Sequence, residues 1–114
     1  MVITVKTFRK LALSFPETVE LPHFERTSFR VKKKIFATLA QSTEIATLRF
    51  SKSDQSFFCS VGNHAIYPVP NKWGAHGWTF IELKKVSQKV ILDALTAAYE
   101  EVTKQKSRRD GFLG

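Results

Sequence analysis

Two groups of side chains in this 114-residue chain pack charge or aromatic surface densely enough to do chemistry. The first is the run Arg30, Lys32, Lys33 and Lys34, with Arg26 just upstream. Cations held out in water at a turn can neutralise several phosphates of a polyanion at once, a contact that supplies affinity without reading sequence. The second is Lys72, Trp73, Gly74, His76, Gly77 and Trp78, where two indoles flank a glycine-containing loop that also carries cations. Indole faces stack nucleobases at about 1 to 3 kcal/mol each. Arg49 and Lys52 add positive charge between the two groups. Each group also has a structural reading. Lysines at a hairpin tip discourage edge pairing, and tryptophans can roof a sheet and anchor an irregular loop.

Other chemistries lack their residues. His23, His64 and His76 are scattered without the i, i+4 spacing of a helical metal pair, and the single Cys59 has no CxxC partner, so no metal site is expected. No GxSxG elbow, HExxH, Walker loop or GxGxxG is present, which removes hydrolase, zincin, NTPase and dinucleotide readings. A titrating histidine among His23, Glu25 and Arg30 is the weakest enzymatic alternative, and a histidine pinning the loop before a strand explains the same residues. The expectation is a protein that is not an enzyme and needs no cofactor.

Composition frames the partner. Eighteen Lys and Arg against ten Asp and Glu give a formal charge of +8, a field that attracts polyanions. The longest uncharged stretch, Ile35 to Thr43, falls far short of the roughly 18 apolar residues that span a bilayer, and MVITVKTFRK lacks a secretory core. The expected protein is soluble, cytoplasmic, monomeric and without a membrane partner. One cysteine cannot form an internal disulfide, and Cys59 reads as a small buried residue on a helix.

The elements that must position these side chains follow from periodicity. Thr4 can cap a helix over about residues 4 to 15, with Val5, Phe8, Leu11, Ala12 and Phe15 on one side and Pro16 as the stop. Pro16 to Glu25 reads as an acidic loop. Thr27 to Val31 and Ile35 to Leu39 read as a hairpin with a basic turn, and Ile45 to Phe50 as a third strand with Ala46, Leu48 and Phe50 on one face. Ser53 to Gly62 reads as a short capped helix, Ile66 to Val69 as an edge segment, and Trp78 to Leu83 as a strand whose core face holds Thr79, Ile81 and Leu83. Ser87 caps a long helix with an Ile91, Leu95, Ala98, Val102 stripe, and Lys104 to Gly114 reads as a flexible basic tail. The order predicts one α+β domain over residues 1 to 114, a two-layer sandwich with helices on one face of a twisted antiparallel sheet. Trp78 and Phe80 then fall on the uncovered face.

The blocks PHFERTSFRVKKKIFATL (22 to 39) and YPVPNKWGAHGWTFIEL (67 to 83), with ALSFPETVE (12 to 20), resemble the MmcQ/YjbR family over essentially the whole chain. The resemblance implies a double-wing domain similar to the frataxin/CyaY fold and described as DNA-binding. Lys6, Arg9 and Lys10 stand on the first helix where iron-handling frataxin-like proteins carry acidic residues, which argues against iron handling. The expected partner is DNA, contacted by Arg30, Lys32, Lys33, Lys34, Arg49, Lys72, Trp73 and Trp78. The alternative is a protein-interaction or small anionic-ligand module built on the loop Tyr67 to Trp78.

Overall fold

The computed structural model describes residues 3–113, with side chains described for residues 3–103; the tail expected from Lys104 to Gly114 lies outside those side chains. The chain opens with helix α1 (Val5–Leu13), where the Thr4 hydroxyl accepts the backbone N–H of Thr7 at 3.1 Å and satisfies a donor of the first turn. Phe8 and Ala12 point inward. Six strands follow: β1 (Thr18–His23), β2 (Arg26–Val31), β3 (Lys34–Ala40), β4 (Ile45–Arg49), β5 (Ile66–Pro68) and β6 (Trp78–Glu82). They form one antiparallel sheet in the order β1-β2-β3-β4-β6-β5. Helix α2 (Lys52–Val61) joins β4 to β5, and helix α4 (Gln88–Leu113) closes the chain after a turn of 3-10 helix at Leu83–Lys85.

Three expectations change. The stretch expected as an acidic loop contains β1, which pairs with β2 along its whole length. Its negative charge is held by a partner: Arg9 of α1 donates from Nε and Nη2 to the Glu20 carboxylate, both at 2.8 Å. The α2 cap is Ser51, whose hydroxyl accepts the Asp54 N–H, two residues before the expected Ser53. The loop between the last two strands contains a short helix, α3 (Lys72–Ala75).

Alternation sorts the sheet into two faces. Phe29, Val31, Ala37, Leu39, Ala46, Leu48, Thr79 and Ile81 are buried against the helices, where Phe8, Phe58, Ile91, Leu95, Ala98 and Val102 meet them. The expected stripe of α4 is therefore its packed face, and the Ser87 hydroxyl caps it by accepting the Val90 N–H. Phe15, Phe36 and Tyr99 close one end of this layer, with Phe15 and Tyr99 stacked 5.0 Å apart. Burial of each large apolar side chain here contributes about 1.5 to 3 kcal/mol. Cys59 on α2 is half-buried rather than buried, and desolvation pushes its thiol pKa up.

A register shift between Phe29 and Arg30 sets Ala37 opposite Phe29 and Ile35 opposite Arg30, leaving Phe36 as an extra residue on β3. This β-bulge lets Phe36 and Ala37 both face the helices. Just beyond it, Lys32 and Lys33 form the two-residue turn of the β2–β3 hairpin with φ of 53° and 71°.

Candidate functional site

Helices α1, α2 and α4 all pack on one side of the sheet, so the other side is left uncovered. Along it the strands present Leu21, Ser28, Thr38, Thr47, Phe80 and Tyr67 in one cross-strand row. A groove of about 670 Å³ runs over this face. Its floor is Ile35, Thr38, Thr47, Trp78 and Phe80, one wall is His23 and Arg26, and the other is Val69, Pro70, Asn71 and Trp73.

The aromatic wall is built by tight backbone contacts. After β5, the Asn71 side chain accepts the Trp73 N–H at 2.8 Å and starts α3, which presents Trp73 at 53% exposure. A β-carbon on Gly74 would lie 2.0 Å from the Val69 carbonyl oxygen, so only glycine permits this crossing. Gly77 has φ +98°, and its carbonyl accepts the Phe50 N–H at 2.9 Å before the chain enters β6 at Trp78. Gln55 of α2 pins the same segment, with its side-chain amide donating to the Gly74 carbonyl at 2.9 Å and the Thr79 hydroxyl at 3.0 Å. The backbone that carries both indoles is thus held by hydrogen bonds on either side.

Two polar atoms on the uncovered face are buried without a hydrogen-bond partner. One is the hydroxyl of Thr38, a residue 6% exposed on the groove floor; the other is Nε of Arg49, which sits opposite Trp78 in the β4–β6 register. An unpaired buried donor costs about 1 to 3 kcal/mol. Arg30 on the same face is held in place, donating from Nε to the Ser28 hydroxyl at 2.9 Å. Tyr67 donates to Glu82 at 2.8 Å, and this bond together with burial raises the phenol pKa, while Glu82 is lowered by Tyr67 and Lys85.

The antiparallel order brings the two sequence-predicted groups to one end of the sheet. There β2 enters the turn at Lys32 and Lys33, β4 finishes at Arg49, β5 finishes at Pro68, and β6 begins at Trp78. Lys32, Lys33, Lys34 and Lys72 are exposed at that end, with Arg30, Arg49 and Trp78 half-buried beside them. Lys52 is exposed at the start of α2. His64 and His76 line no part of the groove. Among the described residues, no three His, Cys, Asp or Glu side chains cluster as metal ligands, and no helix is long and apolar enough to cross a membrane.

The family model YjbR matches residues 13–101. The chain belongs to the YjbR family. The matched span takes in every strand of the sheet, the groove and most of α4's packed face, as the two sequence blocks implied. The crystal structure of the Deinococcus radiodurans protein DR2400, described as a DUF419 domain, superposes with a TM-score of 0.78 at 20% identity. The similarity covers 90% of this chain and 80% of that one, and establishes the α+β fold. No curated protein matches the chain.

This YjbR domain also places in the site residues that sequence reasoning left out. Thr38, Thr47 and Phe80 form its floor, and His23, Arg26 and Asn71 line its rim. Phe24 stands 95% exposed at φ 60° on the β1–β2 turn, its ring against His23 at 4.9 Å. A bulky residue at positive φ with almost no packing is a conformational cost without a structural return. The sequence signal for it is the two-residue turn Phe24–Glu25, which the acidic, loop-like composition of residues 16–25 conceals.

Proposed function

We propose that the uncovered face binds DNA in single-stranded form and without catalysis. The observation that carries this reading is that Trp73, Trp78 and Phe80 line one groove while Arg30, Lys32, Lys33, Arg49 and Lys72 lie at the end of the sheet where β6 begins at Trp78. Aromatic faces suit unstacked bases, which a duplex hides, and the flanking cations suit the phosphates. The net charge of +8 supports the same partner class.

Fluorescence anisotropy with labelled single-stranded and duplex oligonucleotides tests it. Single strands should bind more tightly, with affinity falling steeply between 50 and 200 mM salt. A Lys32→Ala, Lys33→Ala, Lys34→Ala triple variant should lower the log–log salt slope by about 2, three phosphates at about 0.7 each. Absence of binding to any oligonucleotide at low salt would sink the reading. A second reading, a small anionic ligand or an acidic peptide held in the groove, is favoured by its volume, which falls in the range of about 300 to 1,000 Å³ typical of small-molecule sites. It predicts flat DNA titrations and a stabilising anion in thermal-shift screening.

A further inference from the structure

We propose that the groove is built around one nucleotide 5′-monophosphate unit, whose base edge bonds the Thr38 hydroxyl and whose phosphate lies on Arg49. This rests on the reading of the uncovered face as a nucleic-acid surface and names what that surface recognises. The two orphaned donors on that face carry the inference. Thr38 Oγ1 and Arg49 Nε are each buried without a partner. Thr38 stands directly opposite Thr47, and Arg49 lies two residues beyond Thr47 on the same side of β4. Thr38 and Arg49 are therefore a diagonal cross-strand pair, about 7 to 8 Å apart at the backbone. One nucleotide spans that separation between its base edge and its phosphate.

The surroundings match the two ends of such a unit. Beside Thr38 and Thr47 the floor is apolar and aromatic, with Ile35, Phe80 and Trp78 offering the flat contact that a heterocycle needs. At the Arg49 end of the sheet Lys72 is exposed, just beyond the end of β5. The Thr38 hydroxyl is tucked below the groove surface, and rotation about χ1 to another staggered position exchanges it with the methyl group. A base acceptor in the groove draws it into a bond that the empty groove does not supply. Thr38 is on this account a specificity-determining residue, and Arg49 distinguishes a nucleotide from its nucleoside.

Tryptophan fluorescence titrations of the full chain test this with the four 5′-deoxymononucleotides, the matching nucleosides, inorganic phosphate and a single-stranded oligonucleotide. At least one mononucleotide should bind well above its nucleoside and above phosphate. Thr38→Val, nearly the same shape, should weaken that mononucleotide about tenfold without lowering the urea midpoint, and Thr38→Ser should restore it. Arg49→Met, which keeps the aliphatic stem, should reduce the mononucleotide to the level of its nucleoside. If oligonucleotides bind but mononucleotides do not, or if Thr38→Val leaves affinity unchanged, the nucleotide subsite is wrong and the strand-binding reading survives. If mononucleotides bind and oligonucleotides do not, the subsite stands for a free nucleotide and strand binding falls. Binding of neither overturns both.

Discussion

Gly77→Ala should destabilise the domain by about 2 to 4 kcal/mol, a large effect for the loss of no side-chain contact. The magnitude comes from two sources. At φ +98° an alanine is strained by about 1 to 3 kcal/mol. Its β-carbon would also stand 1.9 Å from the Phe50 carbonyl oxygen, a backbone atom that cannot rotate away. Opening that gap separates β6 from the chain after β4 and weakens the 2.9 Å bond from the Phe50 N–H to the Gly77 carbonyl, about 0.5 to 1.5 kcal/mol. Urea unfolding followed by tryptophan fluorescence reads this directly. With a slope of about 2 kcal/mol per molar, the midpoint should fall by about 1 to 2 M. Gly74→Ala meets a similar obstruction, 2.0 Å from the Val69 oxygen, but at an ordinary helical φ, so it should cost less by the strain alone. A Gly77→Ala midpoint within about 0.2 M of wild type would refute the claim that this backbone crossing is rigid, and with it the fixed placement of Trp78.

Three other outcomes are expected. Asn and Gly suit a two-residue turn with both φ values positive, so Lys32→Asn with Lys33→Gly should stabilise the fold by about 1 kcal/mol in urea while weakening oligonucleotide binding, which separates the turn's geometry from its charge. Arg9 hydrogen bonding lowers the Glu20 pKa, so the stability it contributes is full above the ordinary carboxylate value near 4.3 and is lost as pH falls through the lower folded value. The stability gap between wild type and Glu20→Gln, measured by urea midpoints across pH, should accordingly close on the acid side of 4.3. Tyr67 should ionise above the ordinary tyrosine pKa of about 10 in an absorbance titration, and Glu82→Gln should bring it back down, because the hydrogen bond to the carboxylate is the largest cause of its rise.

Elements with a clean contrast between apolar and polar positions were legible from sequence. The capped first helix, the basic hairpin, the faces of β4 and β6 and the stripe of α4 all show it, and the phase of β6 alone put Trp78 and Phe80 on the uncovered face. Strand β1 inverts the contrast. Its uncovered side carries exposed Val19 and Leu21, while the other side carries Thr18, Glu20 and Pro22, with Glu20 neutralised by an arginine from another element. No local pattern announces a strand whose polar side faces the packed layer. Helix α3 has four residues and a glycine, too few for a period. The groove floor was hidden for another reason: Thr38 and Thr47 are ordinary strand residues until the register sets them side by side.

The extra residue at Phe36 has a further effect on how the hairpin can vary. Alternation runs in one phase from Lys34 to Phe36 and in the opposite phase from Ala37 onward, so the cationic tip and the groove floor obey separate parities. Removing Phe36 would leave Arg30 opposite Ile35 and Phe29 opposite Ala37 in a single unbroken alternation, with the tip and the floor each on the side they now hold. The hairpin can therefore gain or lose this one buried ring without carrying Ile35 or Thr38 to the other face, so what Phe36 adds is packing against Phe15 and Tyr99, while the placement of the groove floor rests on the pairing around it.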